Sequence, residues 1–352
     1  MEKQLQTILN TIPKADAQAY DACIGNFDRI AKPLGSLGKL ESLLARVAAV
    51  TGQPLVDVSR KCVLVFCADN GVLAQGVAQS THEVTTAIAR SLAAGTASVN
   101  AMAKAAGADV FPVDVGMIDT VPEVLHRKVA PGTRDMTAEP AMSRQEAIRA
   151  ILTGVELVGE KQKAGYRVIA TGEAGIGNTT SSSAMAAVLL GLPVEQVTGR
   201  GSGLTNEGLQ RKQRAIAAAI AKNRPDPADP LDVLAKVGGF DIAAMVGAFL
   251  GGALYRVPVV MDGLISSVAA LCAARLCPNV RDYLIPSHVT AEPAGKCIME
   301  ELGLEPMLHG GLRLGEGTGA VALFPMLDMA AAVYYNAATF DGIQVEAYRK
   351  LT

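Results

Sequence analysis

The amino-acid sequence predicts an α/β protein built on a mostly parallel sheet with helices on both faces. Three observations carry this reading. Short apolar, β-branched runs recur along the chain: "CVLVFCAD", "DVFPVDVG", "RVIATGE", "VPVVMDG" and "DYLIPSH". Helical stretches separate them, and strands of four to eight residues alternating with helices imply βαβ units. Finally, 352 residues of which 50% are hydrophobic are enough to bury a large core in one big domain, or one and a half.

Taken in order, the chain opens with short polar helices and a Gly/Pro turn in "RIAKPLGSLGKLESLLARVAAV". There Pro33, Gly35 and Gly38 stop one segment, and apolar spacing makes Lys39 to Val50 helical. The stretch "SRQEAIRAILTGVELVGEKQ" begins with a capping box, Ser143 and Glu146. It then places Ile148, Ile151, Leu152 and Val155 on one helical face. Val257 to Cys277 is the most apolar region, but Asp262, two serines and Arg275 interrupt it, so it reads as a strand followed by a helix and not as a membrane span. There is no internal repeat and no low-complexity segment.

Four of the predicted strands end in an acid beside glycine or a loop: Asp69, Asp114, Glu173 and Asp262. Each alone fits a helix cap. Together they suit a common crevice, because ligands of open α/β sheets sit beyond the carboxyl ends of the strands.

Two glycine-rich loops could hold an anion. In "VIATGEAGIGNTTSSS", Gly172, Gly175 and Gly177 precede a helix opening at Asn178, Thr179 and Thr180, where main-chain N–H groups favour a phosphate or ribose. In "TGRGSGLTNEGLQRKQRA", Gly199, Gly201 and Gly203 precede a helix carrying Lys212. A plain structural turn and a solvated lysine are the alternatives.

Composition excludes several classes. A net charge of −2 with interspersed signs leaves no footprint for nucleic acid or an anionic membrane, so small molecules or other subunits are the expected partners. Six scattered cysteines without a C-x-x-C pair suit free thiols in a cytoplasmic protein, and the polar start "MEKQLQTILNTIPKAD" does not resemble a signal peptide. His82, His126, His288 and His309 lack metal-ligand spacing, so no metal and no cofactor is expected. No lysine follows the first glycine turn, which rules out a Walker A loop. "VPVVMDGLISS" has one acid, and not the adjacent pair with a Thr/Gly loop that grips phosphoribosyl pyrophosphate.

"LRLGEGTGAV", residues Leu312 to Val321, fits G-x-G-x-x-A on paper. A dinucleotide fingerprint, however, belongs in a first βαβ unit with a long helix after it, whereas this stretch lies near the C-terminus with Pro325 soon following. A glutamate inside the turn would also repel pyrophosphate. Two readings remain. One is a bland turn with a solvent-facing glutamate. The other is a general base, Glu316, whose apolar neighbours Leu312, Leu314 and Val321 raise its pKa.

The ordered series "KPLGSLGKLE", "CADNGV", "EVT", "DVG", "GEAGIGNTT", "KVGGFDIAAMVG", "MDG", "LIPSH" and "LRLGEGTGA" resembles the nicotinate-nucleotide:dimethylbenzimidazole phosphoribosyltransferase family over nearly the whole chain. The resemblance implies a Rossmann-like sheet plus a small helical domain from the chain ends. The units would be residues 1–55 (small helical domain), 56–330 (α/β catalytic domain) and 331–352 (helical segment packing on the first). It further implies a dimer with sites near its interface, and transfer of phosphoribosyl from nicotinate mononucleotide to an aromatic acceptor with inversion at C1′, as in cobamide biosynthesis.

Carried over by position, Glu316 resembles the base that deprotonates the acceptor, Glu173 the second active-site carboxylate, and Lys212 the cation near the nucleotide. Gly175, Gly177, Asn178, Thr179, Gly201 and Gly203 fall in the nucleotide loops, while the glycines around Glu316, Gly315 among them, make room for the acceptor ring beside Leu314. Ser80 matches a pocket position. Two departures touch the acceptor pocket: Asn70 stands where the family reads A-D-H-G, and Ile88 where it often has glutamine. Some relatives work as heterodimers of two paralogues on phenol or p-cresol, and an apolar Ile88 suits such a ring. Benzimidazole-type and phenol-type acceptors are both expected, with a non-catalytic paralogous subunit as the alternative.

Overall fold

Six parallel strands make one sheet in the computed structural model, which describes residues 1–348. They are β1 (Lys61–Ala68), β2 (Ala108–Gly116), β3 (Leu125–His126), β4 (Val168–Ala174), β5 (Val259–Met261) and β6 (Leu284–Pro286). Their spatial order is β3-β2-β1-β4-β5-β6. That is the doubly wound order with its switch point between β1 and β4, where the chain turns to opposite edges and leaves a crevice beyond the strand ends.

Five strands coincide with the apolar runs of the sequence. β3 was not expected, because two residues carry no readable period. All residues of β1 and β4 are buried, as in strands covered on both faces. Pro112 is tolerated within β2 because β3 pairs only with Val113 and Asp114, which leaves the proline beside an unpaired edge.

The helix Arg144–Lys163 starts at the capping box read from the sequence: Ser143 Oγ accepts the Glu146 N–H at 3.2 Å and Glu146 Oε2 accepts the Ser143 N–H at 2.6 Å. It packs on Phe240–Tyr255, a helix apolar all round and buried along almost its whole length. Leu264–Leu276 is the helix that follows β5, as the interrupted apolar region predicted.

Three helices, Glu2–Thr11, Ala17–Asp28 and Lys39–Thr51, precede β1. The chain end returns to them: the Ala31 N–H donates to the Ala338 carbonyl at 2.8 Å, and the Phe27 and Tyr334 rings meet edge to face at 4.9 Å. The last long helix, Thr318–Asn336, contains Pro325 and passes unbroken through residue 330. Its packing on β4 and on Lys39–Thr51 outweighs the roughly 3 kcal/mol a mid-helix proline costs, so the expectation that Pro325 precludes a long helix does not hold. By length and composition this helix could cross a membrane, but half of that window is buried against the rest of the chain. The final four residues of the expected 331–352 segment lie outside the described residues.

Candidate active site

A cavity of about 300 Å³ opens beyond β4 and β5, beside the switch point. Val77, Val84, Ile88, Ile176 and Leu314 make its apolar wall, and Glu173, Asp262, His288, Glu292 and Glu316 bring acid and imidazole groups to it.

Glu316 stands on the most strained backbone of the site. Gly315, Glu316 and Gly317 have φ values of 91°, 61° and 90°, three consecutive residues in the left-handed region. Glycine takes such angles freely, whereas a glutamate there costs about 1 kcal/mol or more. The turn also crosses β4 closely: a Cβ on Gly172 would collide with the Glu316 carbonyl, and one on Gly315 would lie 2.5 Å from Glu173 Oε1. Partial burial raises the Glu316 pKa, with the Val99 N–H, 3.4 Å from Oε2, opposing.

Asp262, just after β5, positions this turn. Its carboxylate accepts the N–H groups of Gly317 at 3.1 Å, Gly319 at 2.8 Å and Ala320 at 3.1 Å. The helix N-terminus is therefore already filled by a carboxylate, which removes the dinucleotide reading on structural grounds. Burial raises the Asp262 pKa against the pull of neighbouring His288, whose own pKa burial lowers. His288 Nδ1 and Ser287 Oγ are 3.0 Å apart.

Glu173 is the penultimate residue of β4 and is 8% exposed. Burial, and next the charge of Asp241, push its pKa to about 8. Asn178 forks between the two acids: its Nδ2 donates to Glu173 Oε2 and, at 2.9 Å, to Asp241 Oδ2. Asn178 lines the cavity, and its side-chain amide is committed to these two carboxylates.

Residues of both glycine-rich loops meet at the cavity, although not every one of them faces it. Gly175, Gly177, Thr179 and Gly201 line the cavity together with Arg200 and Ser202. Lys212 is fully buried behind them, its Nζ donating to Thr179 Oγ1 at 2.8 Å and the Gly199 carbonyl at 3.2 Å. Burial lowers its pKa to about 8. Lys212 thus supports the loop from beneath. Gly203 is not part of the cavity wall; its carbonyl accepts from the Gln79 amide.

Ser80, Ile88, Leu314 and Gly315 all line the cavity. Asn70 does not: it is buried, accepts from Ser181 Oγ at 3.1 Å, and borders a neighbouring hollow that shares Ala78 and Ser80 with the cavity. The strand-end acids also divide. Glu173 and Asp262 reach the cavity, Asp69 borders the hollow, and Asp114 is fully buried, accepting the Met117 N–H at 2.9 Å. Sequence reasoning missed Asp241 and Glu292. Asp241 follows two glycines at the head of an apolar helix, a readable signal. Glu292, whose Oε1 accepts the Gly201 N–H at 3.0 Å, lies in a long loop with none.

Sheet order, a switch-point cavity and acids beside an apolar wall define a doubly wound α/β protein with a small-molecule site at its strand ends. The chain belongs to the phosphoribosyltransferase family: the family profile described as Phosphoribosyltransferase matches residues 12–345. Among similar proteins is the nicotinate-nucleotide–dimethylbenzimidazole phosphoribosyltransferase of Ruminiclostridium cellulolyticum, 44% identical over 97% of this chain and 98% of that one. The protein of the same name from Desulforudis audaxviator is 46% identical over 96% of each chain. The crystal structure of CobT from Thermus thermophilus superposes with a TM-score of 0.89 at 40% identity, covering 94% of this chain and all of that one.

Proposed function

We propose that this enzyme moves the phosphoribosyl group of nicotinate mononucleotide onto an aromatic acceptor, dimethylbenzimidazole foremost, releasing nicotinate and an α-nucleotide 5′-phosphate for cobamide assembly. The observation that carries the reading is Glu316, held on a left-handed turn next to Glu173 over an apolar wall. A carboxylate in such strained geometry, with a raised pKa, suits a general base better than a surface charge.

In this mechanism the acceptor ring lies against Val84, Ile88 and Leu314, and Glu316 takes its proton. The acceptor atom forms the new bond to C1′ on the face opposite nicotinate, whose ring nitrogen leaves with the bonding pair and becomes neutral. Positive charge that develops on the ribosyl ring is met by Glu173. The 5′-phosphate rests on the Gly175–Thr179 and Gly201–Ser202 loops, with the Lys212 charge behind them.

A phenolic acceptor is the second reading, favoured by Ile88, which presents no polar atom to an azole nitrogen. A dimer, with a second subunit beside the exposed Leu314 at the cavity, is part of this reading. Among the described residues all six cysteines are free thiols, which suits a cytoplasmic setting.

The test is incubation of the chain alone with nicotinate mononucleotide and dimethylbenzimidazole, adenine, phenol or p-cresol, with products identified by mass. Nicotinate release with a dimethylbenzimidazole nucleotide supports the reading. Release only with phenols favours the second, and no release with any acceptor overturns both.

A further inference from the structure

The sequence motif "KVGGFD" has no part in the mechanism above, yet its acid, Asp241, lies beneath the active-site turn. Asp241 is fully buried at the start of the helix Phe240–Tyr255. Its Oδ1 accepts the Ile242 N–H at 3.0 Å, and its Oδ2 accepts from Asn178 Nδ2 at 2.9 Å. The same Oδ2 lies 2.9 Å from where a Cβ on Gly175 would stand, so the carboxylate touches both ends of the Gly175–Asn178 turn. The other hydrogen of that amide goes to Glu173.

No cation among the described residues compensates this pair. Among the described residues neither Glu173 nor Asp241 has an ion-pair partner within 4.0 Å. The titratable groups facing Asp241 are Glu173 from β4, Cys67 from β1 and Asp69 just beyond it, and Asp262 and Glu316 face Glu173 from the other side. Two buried carboxylates joined by one neutral amide and ringed by further acids do not both ionise at little cost. The more readily ionised member of the pair keeps the proton on the other.

We propose that Asp241 is a positioning residue for the transfer reaction: it fixes the Glu173 carboxyl through the forked amide of Asn178, and its own negative charge keeps that carboxyl protonated in the empty site. Glu173 releases that proton to solvent when the cationic pyridinium of nicotinate mononucleotide arrives, so its charge appears with the charge it is to stabilise. The pKa directions agree, Glu173 being pushed to about 8 and Asp241 only to about 6, burial first in both cases.

This inference rests on the transfer reaction proposed above, and calorimetry separates the two. Nicotinate mononucleotide is titrated into the enzyme at pH 7 in two buffers of different ionisation enthalpy. The wild type releases more protons per site than Glu173→Gln, and Asp241→Asn loses most of that difference. In kinetics, Asp241→Asn moves the acid limb of the kcat/KM profile down by about one pH unit or more, because a neighbouring charge is gone. Asn178→Ala moves it up, because a donor to the carboxylate is gone, so the two variants diverge in sign. Equal proton release by the wild type and Glu173→Gln overturns the inference even if Asp241→Asn does not fold. A pH profile unmoved in both Asp241→Asn and Asn178→Ala, with only stability lost, also overturns it. No binding heat at all overturns the transfer reading, and this inference with it.

Discussion

Asp262 holds Gly317: Oδ2 of the acid that follows β5 accepts the N–H of the glycine next to Glu316 at 3.1 Å, while Oδ1 takes the Gly319 and Ala320 N–H groups. The base candidate is thus placed by a residue from the end of β5, far away in sequence. Asp262→Ala leaves several buried N–H groups without a partner, at about 1–3 kcal/mol each. Its melting temperature should fall by several degrees and kcat at least tenfold, with Asp262→Asn in between. An alanine variant with wild-type kcat would show that the turn holds itself.

Glu316 offers a separation of stability from activity. Glycine relieves the φ of 61° and alanine does not, so Glu316→Gly should be more stable than Glu316→Ala by about 1 kcal/mol. Both variants, and Glu316→Gln, should lose about 10²-fold or more in turnover. Thermal melts and steady-state rates check this, and an active Glu316→Gln removes the residue from the role of base.

Stability should depend on pH through Glu173. Its pKa is about 8 in the folded chain against an ordinary 4.5, so the folded state binds the extra proton across that window. The stabilisation is complete below pH 4.5 and is lost as pH rises toward 8. Compared with the wild type, Glu173→Gln should show a flatter melting temperature between pH 5 and 8. Parallel curves for the two proteins would place the Glu173 titration elsewhere.

Lys212 should make nucleotide binding sensitive to base. With its pKa lowered to about 8 by burial, the ammonium behind Thr179 loses its proton as pH rises through that value, and the loop loses its attraction for phosphate. KM for nicotinate mononucleotide should increase severalfold from pH 7 to pH 9. In Lys212→Met it should be high and flat over this range. A wild-type KM constant with pH would argue that the phosphate does not sense Lys212.

Much of the fold was legible because it rests on local periodicity. β1 and β4 show as unbroken apolar runs, and the Ser143–Glu146 capping box marks the start of its helix to the residue. β3 escaped because two residues carry no pattern, and Pro325 misled because a proline's local cost says nothing of the packing that offsets it. In the site, the glycine turns and strand-end acids pointed to Glu173, Asp262 and Glu316, which the fold brings to one cavity. They could not say that Asp114 is a loop ligand, that Asn70 faces away from the cavity, or that Lys212 lies behind the loop.

The sequence by itself determined the parallel α/β architecture, the two glycine loops and the glutamate between glycines, since each is written in residues near one another along the chain. Tertiary structure decided what those residues do. Only the sheet order brings the acids of β4 and β5 to one crevice, and only the buried approach of Asp241, Asn178 and Glu173 sets which carboxyl keeps a proton. The physical reason is that hydrogen-bond partners and desolvation depend on neighbours far apart in sequence. A carboxylate's chemistry follows from those neighbours more than from its own flanking residues.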